Sequence, residues 1–125
     1  MPKIIICDDE QDILDITATI LETEGFNVIT VLNSLTAIST IALEKPDLVL
    51  IDLWMPGISG DQIVKQMRQN PAFVNLPVIV ISASTDGREI ALTAGANDFI
   101  EKPYDIDDLV NKVNKYLPMQ VDVAS

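Results

Sequence analysis

Five short apolar runs alternate along the chain with segments whose apolar residues recur at helical spacing. The first run, about Lys3 to Cys7, contains Ile4-Ile5-Ile6 with no polar break, as in a strand covered on both faces. The next segment, about Gln11 to Glu24, sets Leu14, Ala18 and Leu21 on one helical face with Ile13, Thr17 and Ile20 beside them. Gly25 stands where such a helix ends in a left-handed cap. Phe26 to Leu32 alternates and is rich in β-branched residues, which predicts a second strand. Asn33 or Ser34 can cap a helix over about Leu35 to Glu44 that must stop before Pro46. Leu48 to Ile51 is the third strand, and Ser59 with Gln62 resembles a capping box for a helix ending near Asn70-Pro71. Pro77 opens a fourth strand, Val78 to Ile81, and a short helix from about Arg88 to Ala94 stops at Gly95. Asp98 to Glu101 is a fifth strand. Asp105 can cap a last helix that runs to about Leu117, just before Pro118.

Alternation of this kind predicts an α/β domain with a parallel sheet, right-handed crossovers and helices on both faces. At 125 residues, without internal repeat or linker, the chain is expected to form one unit over 1–118, with 119–125 as a flexible tail. No run approaches the length of a membrane span, and no leader is expected before the first strand. A net charge of −11 argues against nucleic-acid binding, which needs a basic surface. The one cysteine, Cys7, fits a reducing, cytoplasmic setting. Histidine is absent, which removes any in-chain histidine base, nucleophile or metal ligand.

The chemistry gathers at strand ends. The third strand closes on Asp52 before the turn Leu53-Trp54-Met55-Pro56-Gly57, and the first closes on Asp8-Asp9-Glu10. Taken singly, each has a plain explanation: acids favoured at a helix start by the macrodipole, or an Asx turn at Asp52. In open α/β sheets, however, ligands bind in the crevice beyond the carboxyl ends of the strands. Ser82 follows the fourth strand and Lys102 the fifth, so acids, a hydroxyl and a lysine converge on that crevice. The set suits phosphoryl transfer to Asp52, which depends on positioning and on neutralising charge at the phosphoryl oxygens. Asp8, Asp9 and Asp52 would hold a hard cation, Mg²⁺, through oxygen ligands, while Lys102 and the Ser82 hydroxyl meet the phosphoryl group.

With those residues in place, the whole chain resembles the receiver domains of two-component response regulators. The landmarks are Asp8-Asp9-Glu10, Asp52 with Met55-Pro56-Gly57 and Gly60, Ser82-Ala83, Gly95-Ala96, and Phe99 three residues before Lys102-Pro103. The resemblance implies a flavodoxin-like doubly wound five-stranded sheet of order 2-1-3-4-5. It implies Asp52 as phosphoacceptor, Asp8 and Asp9 as metal-site acids and the Trp54 main-chain carbonyl as a further Mg²⁺ ligand. It also implies Lys102 and Ser82 as phosphate contacts and a cis Lys102-Pro103 bond. Phe99 with Ser82 would form a switch, the ring lying outward at rest and packing toward Ser82 after phosphorylation.

The chain departs from the family pattern in several places. The stretch from Ser82 to Lys102 is a couple of residues short and carries Gly87, so the fourth helix should be short or displaced. Ser82 stands where threonine is commoner, Phe99 lacks a phenol, and Trp54 is bulky for its place. A signalling receiver is expected, not a turnover enzyme, and it would stand alone or be part of a longer regulator. Its phosphodonor would be a histidine kinase or histidine phosphotransfer protein, and its output a contact with a downstream protein. Two alternatives stay open: a docking module that works without phosphate, and an aspartyl-nucleophile phosphohydrolase. Such hydrolases generally place a second acid two residues after the nucleophile, where this chain has Trp54.

Overall fold

In the computed structural model, which describes residues 1–117, the apolar runs form a five-stranded parallel sheet of order β2-β1-β3-β4-β5. The strands are β1 (Lys3–Cys7), β2 (Asn27–Val31), β3 (Leu48–Asp52), β4 (Val78–Ser82) and β5 (Asp98–Glu101). Between and after them lie α1 (Gln11–Thr23), α2 (Ala37–Glu44), α3 (Gly60–Arg68), α4 (Gly87–Ala94) and α5 (Ile106–Tyr116). The expected tail, with the stop at Pro118, lies outside the described residues.

Strand periodicity divides the core into two layers. Ile5, Cys7, Val49, Ile51, Val78 and Val80 face one side and pack against α2, α3 and α4 through Ile41, Ile63, Met67 and Ala91. Ile4, Ile6, Leu48, Leu50, Ile79 and Ile81 face the other and meet α1 and α5 through Leu14, Leu21, Leu109 and Val113. Both faces are covered, which is why β3 and β4 are buried at every position. On α1 the same logic buries Leu14, Thr17, Ala18 and Leu21 and leaves Ile16 61% exposed.

Element ends follow the local chemistry, with small corrections. Gly25 is left-handed (φ 99°), as expected after α1. Asn33, not Ser34, caps: its side chain accepts the Leu35 N–H at 3.0 Å and starts a 3-10 turn, Ser34–Thr36, that runs into α2. Lys45 takes the left-handed position after α2 (φ 49°), because no glycine is available before Pro46. The helix after Ser59 stops at Arg68, short of Asn70. Arg68 explains this: its guanidinium donates to the carbonyls of Phe73, Leu76 and Gly95 and to Asn97 Oδ1, each at 2.8 Å, and so folds the α3–β4 connection onto the start of β5.

Asp98, buried at the start of β5, anchors α5. It accepts from the Phe99 N–H at 2.8 Å, Lys112 at 3.1 Å, Lys115 at 3.4 Å and the Tyr116 hydroxyl at 3.0 Å. Burial alone would raise the Asp98 pKa, but the Phe99 N–H, Lys112 and Tyr116 together hold it down to about 2. Asp98→Asn is expected to lower unfolding stability by about 2–4 kcal/mol at pH 7, measured by urea denaturation. Because the folded-state pKa is depressed, this stabilisation is present above about pH 4 and is lost as the pH falls toward 2. The difference between variant and wild type should shrink over that acid window.

Candidate functional site

The sheet register brings the chemistry together. Cys7 lies opposite Ile51, so Asp8 leaves β1 beside Asp52 at the carboxyl edge, where the strand order reverses. Both carboxylates are buried, Asp8 2% and Asp52 6% exposed. The Lys102 ammonium lies between them, 3.3 Å from Asp8 Oδ2 and 3.5 Å from Asp52 Oδ1. Lys102 is held there by the last rung of the β4–β5 ladder, its N–H donating to the Ser82 carbonyl at 2.9 Å. Burial pushes the Asp52 carboxyl up to about 6 and the Asp8 charge adds to this, while Lys102 pulls the other way. Burial likewise works against the Lys102 ammonium, but Asp52 and Asp8 outweigh it and raise its pKa.

The carboxylate oxygens of Asp8, Asp9 and Glu10 lie within 4.8 Å of one another and could hold a metal ion. The sequence grouped Asp8 and Asp9 with Asp52. The structure adds Glu10 to the acidic set and couples Asp52 to it through Lys102. Glu10 is drawn in by its backbone, whose N–H donates to Asp8 Oδ1 at 3.0 Å. Ser82 is buried, and its hydroxyl accepts the Ser84 N–H at 3.0 Å while keeping its own proton to donate elsewhere. The Trp54 indole is 55% exposed.

Two close approaches shape the site. Gly60 opens α3 directly on the end of β3, where a Cβ would collide with the Asp52 carbonyl oxygen and lie 3.0 Å from Leu53 Cα. The Gly60 N–H donates to the Leu53 carbonyl at 2.8 Å, fixing the turn that carries Trp54. Ser34 pins the far side of that turn, donating to the Pro56 carbonyl at 2.6 Å and accepting the Ile58 N–H at 3.1 Å.

Phe99 corrects an expectation. Its ring is not outward but buried, 8% exposed, and faces Gly87 at the start of α4. The connection from Ser82 to Gly87 is so short that α4 begins almost on top of β4 and β5. A Cβ at Gly87 would lie 3.0 Å from a Phe99 ring carbon and 3.1 Å from Ser82 Cβ. An added methyl there would require the ring or the start of α4 to give by a few tenths of an ångström. The short α4 and the cis Lys102-Pro103 bond are as expected.

Sequence pattern alone assigns no functional role to Thr17 and Tyr104, whose hydroxyls meet at 2.7 Å between α1 and the segment after β5. A threonine on the apolar face of α1 was the available signal.

The family model for the response regulator receiver domain matches residues 4–114. The response regulator SaeR of Staphylococcus aureus is 37% identical over 119 residues, which cover 94% of this chain and 51% of SaeR. The chain thus spans about half the length of the curated relatives it matches. Among solved structures, the signal receiver domain of a signal transduction histidine kinase from Syntrophus aciditrophicus superposes with a TM-score of 0.87 at 29% identity, covering 94% of this chain and 90% of that one. A Francisella response regulator receiver domain gives 0.85 at 30% identity, covering 93% of this chain and 96% of that one.

Gly87→Ala forces the Phe99 ring or the start of α4 to shift. A loss of about 1–3 kcal/mol in urea unfolding is expected, with the Phe99 ring resonances moving in NMR spectra. Gly25→Ala is a useful contrast, since a Cβ there meets nothing within 4 Å and only the backbone conformation (φ 99°) resists the change.

Proposed function

This chain belongs to the response regulator receiver domain family, and from that premise we propose that it accepts a phosphoryl group on Asp52 from a partner's phosphohistidine and signals by protein contact. The observation that carries the reading is the Lys102 ammonium between two buried carboxylates, 3.3 Å from Asp8 and 3.5 Å from Asp52. Residues 1–118 constitute the receiver unit.

The Asp52 carboxylate is the nucleophile. One of its oxygens forms a bond to phosphorus as the bond from phosphorus to the donor imidazole nitrogen breaks on the opposite side. Lys102 neutralises one phosphoryl oxygen, and the Ser82 hydroxyl donates to another. The acids fit a hard divalent cation, since the side-chain donors are all carboxylate oxygens and those of Asp8, Asp9 and Glu10 already lie within 4.8 Å of one another. Asp8 and Asp9 would hold Mg²⁺ with Asp52 and the Trp54 main-chain carbonyl. When bound, the ion supplies positive charge that offsets the phosphoryl oxygens. Ser82 and the adjacent Phe99 form the route by which occupancy of the site reaches the surface around α4 and β5.

A donor protein has a surface to use. An apolar groove of about 410 Å³ lies between Ile13, Ile16 and Ile20 of α1 and Pro103, Tyr104 and Ile106, and Lys102 lines it too. A histidine kinase or phosphotransfer domain seated there would bring its phosphohistidine next to the lysine. Among the described residues no helix is long and apolar enough to cross a membrane, and Cys7 is a buried free thiol pushed up to about 12 by burial. The reading of the chain as a cytoplasmic signalling domain rests on its family.

Incubation with a small phosphodonor and Mg²⁺ should add one phosphoryl group by intact mass, and Asp52→Asn should add none. The wild-type rate should fall at acid pH as the nucleophile becomes protonated, and because a bound cation favours the carboxylate, the midpoint with Mg²⁺ should lie below the value of about 6 that burial gives Asp52 without the ion. Sustained phosphate release from many substrates would instead support the hydrolase, and no mass change the docking module. Ile16→Ser with Ile106→Ser should slow transfer from a phosphorylated histidine phosphotransfer protein about tenfold or more, at an unchanged rate from the small phosphodonor. Equal loss with both donors would exclude the groove as a docking surface.

A further inference from the structure

We propose that the Thr17–Tyr104 hydroxyl pair is a positioning element that holds Lys102 against Asp52 during phosphoryl transfer. This rests on the reading of Asp52 as phosphoacceptor. The two hydroxyls are 2.7 Å apart, and Thr17 is 1% exposed on a face of α1 otherwise made of Leu14, Ala18 and Leu21. A hydroxyl there has no access to water, so its geometry depends on Tyr104.

Apart from the packing of the Tyr104 ring against the α1/α5 side of the core, which Tyr104→Phe would keep, the segment that carries Lys102 has few other restraints. The last ladder bond is Lys102 N–H to the Ser82 carbonyl, at 2.9 Å. Pro103 has no N–H, and the Asp105 side chain makes no capping bond at the start of α5. The charged ties of α5 to Asp98 come from Lys112, Lys115 and Tyr116, in its second half. Among the described residues, the Tyr104 phenol makes the one side-chain hydrogen bond recorded for 103–106.

The pair also closes a ring of contacts. Asp8-Asp9-Glu10 runs directly into α1, α1 carries Thr17, and Thr17 holds Tyr104. Tyr104 follows Lys102 by two residues, and Lys102 returns to Asp8 and Asp52. The acids and the lysine are thereby fixed against each other through α1 and not only through the sheet. The same pair lines the apolar groove beside Lys102, so a protein seated in that groove touches the link that sets the lysine.

The test uses the full chain with a saturating small phosphodonor and Mg²⁺. In Tyr104→Phe and in Thr17→Val, the maximal rate of Asp52 phosphorylation should fall about tenfold with KM unchanged, because a sub-ångström misplacement of a reacting group costs rate more than binding. The double variant should be no slower than the slower single variant, as expected of groups that act as one unit. Thr17→Ser, which keeps the hydroxyl, should restore the wild-type rate. In Mg²⁺-free protein, amine acylation followed by mass spectrometry should label Lys102 severalfold faster in Tyr104→Phe, with Lys3 and Lys65 unchanged. Variants that lose only melting temperature, with maximal rate and Lys102 labelling as in wild type, would overturn the proposal. If the wild type accepts no phosphoryl group, the reading of Asp52 fails, and unchanged Lys102 labelling would then also refute the positioning link.

Discussion

Two carboxylates buried side by side repel each other, and neither is easily kept ionised away from water. Here Asp8 and Asp52 leave adjacent strands in matched register, and the Lys102 ammonium between them is what makes the pair tolerable. The balance is incomplete, since Asp52 remains displaced upward to about 6. A nucleophile held this way is destabilised as a carboxylate, and added positive charge relieves it. The strand ends therefore favour occupation by a cation.

The rest of the structure can be understood as what keeps those three side chains in place. Alternation along the strands spends every core position on packing, which leaves only the residues just past the strand ends free for chemistry. The turn after β3 is pressed against Asp52 by Gly60 and held by Ser34, a residue that follows the edge strand β2, two strands away. The segment after β5 is held by Tyr104 on α1. Three elements distant in sequence thus converge on one small volume.

The α4 side is built more tightly. Gly87 brings the start of α4 close to both Ser82 and Phe99, so the serine and the ring share one packing environment. A ring already seated inward needs little further displacement. Signal output through this face would then depend on small shifts of α4 and the Ser84–Asp86 turn more than on a large swing of the aromatic.

Much of this was legible in the chain itself. Short uninterrupted runs rich in β-branched residues, such as Ile4-Ile5-Ile6 and Leu48-Val49-Leu50-Ile51, read as buried strands, and helical spacing between them points to parallel crossovers, so the fold class followed from periodicity. Asp8, Asp52 and Ser82 could be named because each ends such a run, and Lys102 because it follows the fifth strand directly. What the sequence could not supply was distance and direction. Glu10 entered the acidic set through its own backbone bond to Asp8, and Phe99 turned inward because the tertiary path of a short loop placed Gly87 over it. The meeting of Thr17 with Tyr104 joins residues 87 apart. Local pattern determines which face a side chain takes, but which other side chain it meets there is set by how the helices close over the sheet.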